Sequence, residues 1–255
     1  AVEATLKRAL RAHPENSRIG IALGDFYMSE GRYKDALDQY LSVVEKQPNA
    51  AAGYVKAASA YQYLKQPKEA LAQLEQGYRR IPDSGLLLTR LAKWHMNANS
   101  PETAKKLSLD HLEKNPASQE AWMVLADLYV KENDFEKAAQ IYAQAFEKHP
   151  DMWSAANNYA YLKTEIATGA HDLADAMEMA RKAEQLNPES GMVADTIGWI
   201  YFKMGDLDRA YDYVKTALEK FPDHDSINFH MGMILDSQGK ESEAKSYFEK
   251  SGRKP

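Results

Sequence analysis

The chain of 255 residues contains no cysteine, which excludes disulfide bonds, thiolate metal sites and cysteine nucleophiles. It also lacks long apolar stretches, and no run approaches the roughly 20 residues that a transmembrane helix needs. There is no excess of basic charge either, because the formal net charge is −5 and residues of both signs are mixed. We therefore expect no membrane span and no binding to nucleic acid.

Strand signals and enzyme motifs are also missing from the sequence. No segment alternates apolar and polar residues between turn signals, as a half-buried strand would. No Gly-rich phosphate loop, HExxH motif or GxSxG motif occurs. The seven histidines are scattered and are interpreted as surface or helix-cap residues. The sequence thus predicts an all-α protein that is not an enzyme, with no catalytic residues, no metal and no cofactor.

A repeat dominates what the sequence does contain. Prolines recur at positions 14, 48, 82, 116, 150, 188 and 222, so that five of the six intervals are 34 residues long and one is 38. A period of this length is typical of stacked helical repeats. Each proline ends an amphipathic segment, and the residue that follows it, as in Asn49 or Asp83, is expected to cap the next helix.

Counting from the prolines divides the chain into a short first segment and seven repeats: 1–16, 17–50, 51–84, 85–118, 119–152, 153–190, 191–224 and 225–255. The eighth place of the repeats holds only small residues: Gly24, Ala58, Ala92, Ala126, Ala160, Gly198 and Gly232. The twentieth place is always alanine: Ala36, Ala70, Ala104, Ala138, Ala176, Ala210 and Ala244. Residues with left-handed backbone are expected between the two helices of a repeat, at Gly31, Asn99, Asn133, Gly205 and Gly239.

This order of small residue, aromatic residue, alanine, aromatic residue and proline resembles the tetratricopeptide repeat (TPR) family over essentially the whole chain. The resemblance implies a right-handed α-solenoid, a superhelix of stacked antiparallel helix pairs in which residues 1–255 form a single array. It also implies that the first helix of each repeat lines a concave groove, where a peptide or protein partner binds.

The fifth repeat, residues 153–190, carries four additional residues around Ile166 to Ala170. Four residues make about one α-helical turn. We therefore expect the first helix of this repeat to be one turn longer and to end near Gly169. A longer loop between the two helices is the alternative.

The two ends of the chain differ in character. Residues 1–16 are predicted to be the second helix of a truncated repeat, with Val2, Leu6 and Ala9 at its packing positions. Such a helix leaves apolar surface bare, which would allow a homo-oligomer to form through this N-terminal face. The last helix, Glu241 to Ser251, shows polar side chains outward and is expected to cap the array.

The resemblance also indicates where a partner binds. In the TPR family the ligand-facing places are the second, fifth, sixth, ninth, twelfth and thirteenth of each repeat. In the third and fourth repeats these places carry mixed charge, as in Arg90, Lys93 and Asp127. In the fifth to seventh repeats they carry rings and amides, and the predicted partner-binding residues are Asn157, Asn158, Tyr161, Asp195, Trp199, Phe202, Phe229 and Met233. Rings can bury the side chains of an extended peptide, while asparagine can bond its backbone in both directions.

An alternative assigns these residues to packing alone. Trp199 and Phe202 would then fill the space between adjacent first helices, and Asn158 would tie the fifth repeat to the sixth. The Lys–Asn pattern of the TPR clamps that bind acidic C-terminal chaperone peptides is matched in no repeat, so such a peptide is not the expected ligand.

The sequence therefore predicts a non-enzymatic scaffold for protein–protein interaction, which binds a peptide or protein in its groove as part of a larger bacterial assembly. A self-assembly module that stacks through its ends, or the TPR portion of a larger enzyme or export machine, are the alternatives. The pair Asn157-Asn158 and the segment from Asp195 to Trp199 resemble those of bacterial cell-envelope TPR proteins. Some of these are lipoproteins associated with exopolysaccharide export, which implies a periplasmic location.

Overall fold

The computed structural model describes residues 1–254, which fold into helices joined by short turns and contain no β-strand. Fifteen α-helices lie within these residues. They are α1 (Val2–Ala12), α2 (Ser17–Ser29), α3 (Tyr33–Lys46), α4 (Ala51–Tyr63), α5 (Pro67–Arg80), α6 (Gly85–Asn97), α7 (Pro101–Lys114), α8 (Gln119–Lys131), α9 (Phe135–Lys148), α10 (Trp153–Glu165), α11 (Ala170–Leu186), α12 (Gly191–Lys203), α13 (Leu207–Lys220), α14 (Asp225–Ser237) and α15 (Glu241–Ser251). The predicted all-α class is confirmed.

From α2 onward the helices come in pairs whose dimensions repeat along the chain. The first helix of each pair has 13 residues. The second helix has 14 residues in α3, α5, α7, α9 and α13. Three residues join the two helices in every pair except α10–α11. Links this short make the helices antiparallel neighbours, and stacked antiparallel pairs are the unit of an α-solenoid.

A residue with left-handed backbone turns the chain between the two helices of six pairs. The five predicted residues all have positive φ angles, from 55° at Asn99 to 82° at Gly205. A sixth, Lys65, has a φ of 59° although it is neither glycine nor asparagine. In each of these turns an amide returns to the preceding helix, as that of Asp206 does to the Tyr201 carbonyl oxygen at 3.0 Å. Such bonds satisfy carbonyl groups that would lack a partner at a helix end.

Small residues set the distance between the two helices of a pair. All seven alanines of the twentieth place are at most 1% exposed, and the seven residues of the eighth place are buried as well. A Cβ atom added at Gly198 would lie 2.6 Å from Cγ2 of Val214, closer than side chains tolerate. The same close approach occurs at Gly24 against Tyr40 and at Gly232 against Phe248. The repeat therefore rests on tight helix contacts that leave no room for an added methyl group.

The four additional residues of the fifth repeat are not in its first helix. α10 ends at Glu165 with the usual 13 residues, so the prediction of a longer first helix ending near Gly169 is wrong. Instead α11 has 17 residues, and the link before it has four. The Asp172 carboxylate accepts hydrogen bonds from the Lys163 ammonium at 2.7 Å and from the Thr168 amide at 2.9 Å. These bonds fix the end of α10 against the start of α11 and hold the pKa of Asp172 well below its usual range.

The residues that cap the first helices differ from the prediction by one position. Asn49 and Asp83 lie in the turns, one residue before the caps of α4 and α6. The hydroxyl oxygen of Ser84 caps α6 by accepting a hydrogen bond from an amide of its first turn at 3.3 Å. Ser118 and Ser190 act in the same way on α8 and α12. The Pro-Asn or Pro-Asp pair forms the turn itself, so the cap falls on the next residue.

α1 packs on the following helices without burying any of its side chains completely. Leu6 and Leu10 lie against the apolar core around α2 and α3. Val2 is 57% exposed, so it does not take the packing position predicted for it. The Glu3 carboxylate accepts a hydrogen bond from the Tyr27 hydroxyl at 3.0 Å. The contact of α1 with the rest of the chain is therefore partly apolar and partly polar.

The chain divides into two compact units, Ala1–Leu125 and Ala126–Pro255, with the boundary inside α8. The first unit has apolar cores around Tyr40 and around Leu87, and the second has one around Ile197 and Met231. Among residues 1–254, no helix combines the length and the apolar character needed to cross a membrane. That residues 1–255 form a single array with the stated repeat boundaries stays a prediction.

Candidate partner-binding site

Three first helices of the second unit, α10, α12 and α14, carry the predicted partner-binding residues. α12 contacts both α10 and α14. The residues are Asn157, Asn158 and Tyr161 on α10, Asp195, Trp199 and Phe202 on α12, and Phe229 and Met233 on α14. Spacings of three and four residues place the side chains of each helix on one of its faces.

Three of these eight side chains are buried. Asn157 is 5% exposed, Asp195 is 3% exposed and Trp199 is 5% exposed. The other five are half-buried: Asn158, Tyr161, Phe202, Phe229 and Met233. This differs from the expectation that all eight line an open groove. Asp195 and Trp199 contact side chains of the neighbouring first helices, and that the eight residues bind a partner stays a prediction.

Trp199 is the centre of a stack of rings. Its centroid lies 4.1 Å from that of the His230 imidazole, with the ring planes at 17°. The Phe202 ring stacks on Trp199 at 4.8 Å and 11°. The indole N–H donates a hydrogen bond to Oε1 of Glu165 at 2.6 Å and so links α12 to α10. Because aromatic pairs contribute about 0.5–1.5 kcal/mol each beyond their buried area, this stack stabilises the contact among the three helices.

A buried acid–base pair orients the imidazole of this stack. Nδ1 of His230 lies 2.9 Å from Oδ1 and 3.0 Å from Oδ2 of Asp195. His230 is 2% exposed and Asp195 is 3% exposed. Buried polar groups need hydrogen-bond partners, and here each side chain supplies the partner of the other. The carboxylate therefore fixes the plane in which His230 stacks on Trp199.

His230 and Glu165 are absent from the predicted site. The interpretation of all histidines as surface or cap residues is wrong for His230, and also for His111, which is 2% exposed and lies 2.9 Å from the Tyr78 hydroxyl. A signal was available in the repeat, because His230 is at the sixth place of its repeat and Glu165 at the thirteenth. Both places are ligand-facing in the TPR family. The contacts of His230 nevertheless depend on Asp195, 35 residues earlier in the chain.

Half-buried rings form the solvent-facing edge of the stack. The ring centroid of Tyr161 is 6.3 Å from that of His230, and the centroid of Phe229 is 6.2 Å from it. The Arg253 guanidinium lies 5.5 Å from the centre of the Phe229 ring. We call the following five residues the aromatic face: Tyr161, Trp199, Phe202, Phe229 and His230. It combines apolar ring surface with a cation at its margin.

The Tyr161 hydroxyl lies in an acidic and partly desolvated environment. Burial raises the pKa of Tyr161 to about 12, and the carboxylates of Glu165 and Asp195 act in the same direction. The positive charge of Arg253 opposes them weakly. The phenol therefore stays protonated at neutral pH and is available as a hydrogen-bond donor.

Asn158 belongs to a separate polar network. The Tyr142 hydroxyl donates a hydrogen bond to Oδ1 of Asp127 at 2.8 Å, and the nearby Asn158 side chain acts to lower the pKa of that hydroxyl, which burial raises. Partial desolvation of its carboxyl group raises the pKa of Asp127, although the residue as a whole is exposed. Asn158 forms no hydrogen bond with the sixth repeat among residues 1–254, so the tie expected there is not a hydrogen bond.

Asn157 and Met233 complete the predicted set. Oδ1 of Asn157 is buried and accepts no hydrogen bond from residues 1–254. Met233 is half-buried on α14, four residues after Phe229. Within the same range, no three or more His, Asp or Glu side chains are grouped so that they could hold a metal ion. The site offers ring surface, hydrogen-bonding groups and charges at its margin.

Two family models match this chain, and both carry the description tetratricopeptide repeat. One matches residues 1–59 and 109–166, and the other matches residues 196–255. Together they cover more than half of the chain. Proteins described by this repeat are generally scaffolds that bind other proteins.

Curated relatives are similar at low identity. A TPR repeat-containing protein of Pseudomonas aeruginosa is 27% identical over 165 residues, which cover 64% of this chain and 27% of that protein. Anaphase-promoting complex subunit 3 of Schizosaccharomyces pombe is 23% identical over 218 residues, which cover 84% of this chain and 31% of that protein. The chain thus spans between a quarter and a third of the length of these relatives.

A solved structure shares the fold. The crystal structure of a tetratricopeptide repeat protein from Parabacteroides merdae matches with a TM-score of 0.59 at 19% identity, over 91% of each chain. The likeness supports the stacked helix pairs described above. At this identity it shows the fold alone.

Proposed function

Because this chain belongs to the tetratricopeptide repeat family, we propose that it is a non-enzymatic scaffold that binds an extended segment of a protein partner on the aromatic face. The half-buried rings of Tyr161, Phe202 and Phe229 take up apolar side chains of the partner. Buried Trp199 and His230 hold those rings in place. The proposed ligand is a polypeptide, because ring surface bordered by hydrogen-bonding groups suits an extended backbone with alternating side chains.

The main support for this proposal is that the buried centre of the aromatic face is held rigidly while the rings at its edge are partly exposed to solvent. Trp199 is held by two stacked rings and by its bond to Glu165, while Phe202 and Phe229 keep part of their surface in solvent. Rigid aromatic residues lose little conformational entropy when they bind a partner and are the usual interface anchors. The Tyr161 hydroxyl and Arg253 add directional contacts at the edge.

A displayed peptide library tests this function. Random peptides on phage are selected on the wild-type protein and on the double variant Phe202→Ser, Phe229→Ser. We expect peptides with spaced apolar side chains to be enriched on the wild type and to bind the variant about tenfold more weakly or worse, as for loss of interface anchors. Tyr63→Ser is the matched control, because Tyr63 is 60% exposed and lies in the other unit.

The outcome depends on the fold of the variants, so each is first compared with the wild type by thermal unfolding. Peptides that bind the folded double variant as tightly as the wild type would contradict the proposal. So would a selection in which nothing is enriched on the wild type above the variant.

Self-association through α1 is a second candidate, motivated by the incomplete burial of that helix. Val2 is 57% exposed, and none of the other α1 side chains is fully buried. A second copy of the chain could cover this surface. Sedimentation velocity over a range of concentrations checks it: self-association requires the average mass to rise with concentration and Val2→Ser to suppress that rise.

A place in a larger assembly is supported by the relatives. The chain spans only about a quarter to a third of the two proteins described above, one of which is by its name a subunit of a complex. The cell-envelope role, as a lipoprotein associated with exopolysaccharide export, stays a prediction from the pair Asn157-Asn158 and the segment from Asp195 to Trp199. Fractionation of cells that express the native gene checks the compartment.

A further inference from the structure

A polar cavity in the first unit is separate from the aromatic face. It lies between α4 and α6 and has a volume of about 220 Å³. Ser59 and Gln62 line it from α4, and Arg90, Lys93 and Trp94 line it from α6. Asn97 and the aliphatic side chains of Val55, Ala58 and Leu74 complete the wall, which thus contains two cations, three neutral polar groups, an indole and three aliphatic side chains.

The two cations of this cavity lack an acidic partner. Arg90 and Lys93 are both exposed, and neither forms an ion pair with another residue between 1 and 254. Glu120, at the start of the next first helix, has its carboxylate beside Gly85 and thus beside the first turn of α6. That carboxylate accepts a hydrogen bond from Ser118 at 3.3 Å. The cavity therefore keeps an unbalanced positive charge.

The same place one repeat earlier shows what the cavity lacks. There the Asp25 carboxylate lies 2.7 Å from the Lys56 ammonium and accepts a hydrogen bond from the Tyr40 hydroxyl at 2.6 Å. Moving 34 residues along the chain replaces Asp25 by Ser59 and Lys56 by Arg90. The later repeat therefore keeps a cation, Arg90, but has no acidic residue at the place of Asp25.

We propose that the cavity binds an Asp or Glu side chain from an acidic segment of a protein partner. Its carboxylate lies between α4 and α6, at the position equivalent to that of the Asp25 carboxylate between α2 and α4. Arg90 binds the carboxylate with two parallel hydrogen bonds, which its planar guanidinium favours. Lys93 adds a second charge, and Trp94 packs against the methylene groups of the acidic side chain. This site and the aromatic face belong to different units, so each can be tested without the other.

Short synthetic peptides test the proposal on the whole chain. The first is Ac-Gly-Glu-Gly-Glu-Gly-NH₂, the second replaces both Glu by Gln, and the third is Ac-Gly-Gly-Gly-Gly-Gly with a free C-terminal carboxylate. The protein carries 5-fluorotryptophan, and its four indoles are followed by fluorine NMR, with the Trp94 signal identified from Trp94→Phe. We expect only the glutamate peptide to shift that signal saturably, and we expect added salt to weaken its binding, because exposed charges are screened.

Two variants test whether the glutamate peptide binds in this cavity. Arg90→Gln with Lys93→Gln should weaken the glutamate peptide about tenfold or more, since two charge-assisted contacts are lost. Ser59→Asp restores the acid of the earlier repeat, so it should close the cavity with an internal ion pair and abolish binding. The control Lys68→Gln with Arg80→Gln removes the same charge from exposed positions on α5 and should leave binding unchanged.

Three results would overturn the proposal. The glutamine peptide could bind as tightly as the glutamate peptide, or the double variant Arg90→Gln, Lys93→Gln could bind the glutamate peptide as tightly as the wild type. The third is that the peptide with a free terminal carboxylate binds and the glutamate peptide does not. Thermal unfolding of every variant shows that it is folded. Loss of peptide selection by Phe202→Ser with Phe229→Ser would leave these results untouched, because those residues lie in the other unit.

Discussion

In the first unit the pair Asp25–Lys56 joins α2 to α4, whereas in the second unit the pair Trp199–His230 joins α12 to α14. Both pairs occupy the ninth place of one repeat and the sixth place of the next. The first is an ion pair at 2.7 Å whose side chains are more than 40% exposed. The second is a ring stack in which both residues are nearly inaccessible. One backbone arrangement thus accepts a solvated charge pair or a buried aromatic pair.

The difference between the two pairs indicates which contacts stabilise the fold. Exposed ion pairs contribute roughly 0–1 kcal/mol, because water screens the charges and the side chains lose freedom. A buried tryptophan contributes several times more through the apolar area that it removes from water. The Asp25–Lys56 contact is therefore free to vary for recognition, whereas the Trp199–His230 contact is tied to stability.

The largest predicted effect comes from removing the centre of the ring stack. Trp199→Ala should lower the free energy of unfolding by about 3–5 kcal/mol, because it leaves a cavity and frees the Glu165 carboxylate. Lys56→Ala, at the equivalent contact of the first unit, should lower it by only about 0–1 kcal/mol. Urea unfolding followed by circular dichroism measures both. Similar losses for the two variants would contradict the distinction drawn here.

The tightness of the helix contact in the second unit is the next test. Gly198→Ala should cost about 1–3 kcal/mol, because its new methyl group meets Val214 at 2.6 Å and must displace it. Gly169→Ala is the matched control, since nothing lies within 4 Å of a Cβ atom there and its φ of −173° is ordinary extended backbone. Thermal unfolding of both variants checks the proposed register of the repeat. An unchanged melting temperature for Gly198→Ala would undermine it.

A third test converts one polar network into the other. Asn158 stands where Lys56 stands three repeats earlier, and Asp127 and Tyr142 likewise correspond to Asp25 and Tyr40. Asn158→Lys should therefore bring a cation to Asp127 and raise the free energy of unfolding by up to about 1 kcal/mol at neutral pH. The gain should disappear in high salt. A gain that is independent of salt would show that charge is not its cause.

The smallest expected effect concerns the pH dependence of Asp127. Its pKa is raised in the folded protein, so the folded state binds more protons than the unfolded state in the weakly acidic range. Stability contributed by this group is present at low pH and is lost as the pH rises through the folded pKa. Asp127→Asn keeps an acceptor for Tyr142 and should unfold at higher urea concentration than the wild type at pH 7. The advantage should vanish below the pKa of an unperturbed aspartate.

Periodicity was sufficient to predict the parts of the fold that depend on each pair alone. The left-handed residues and the buried alanines follow from the spacing of prolines and small residues, because each acts within one pair. The place of the four additional residues did not follow from it. The end of α10 depends on bonds from Lys163 and Thr168 to Asp172, and an insertion of one turn fits either helix of the pair equally well.

The candidate site was predictable only in part for a similar reason. The repeat places identified the helices and most of the rings, but not which side chains are buried. Trp199 and Asp195 are covered because His230 arrives from the next repeat, and no property of α12 alone reveals this. The cation Arg90 was visible in the sequence, yet its lack of an acid became meaningful only beside the intact Asp25–Lys56 pair.

The fit between glycine and ring in the helix pairs has a consequence for how such a chain can be recombined. Gly24 accommodates Tyr40, and Gly232 accommodates Phe248, so in these two pairs the eighth place makes room for the ring at the twenty-fourth. A crossover between the two helices of either pair that put alanine in place of its glycine would bring the new Cβ atom against the ring, although the fourth repeat combines Ala126 with Tyr142. A crossover in the turn between two pairs keeps every match. The helix pair, rather than the single helix, is therefore the module that can be exchanged between arrays.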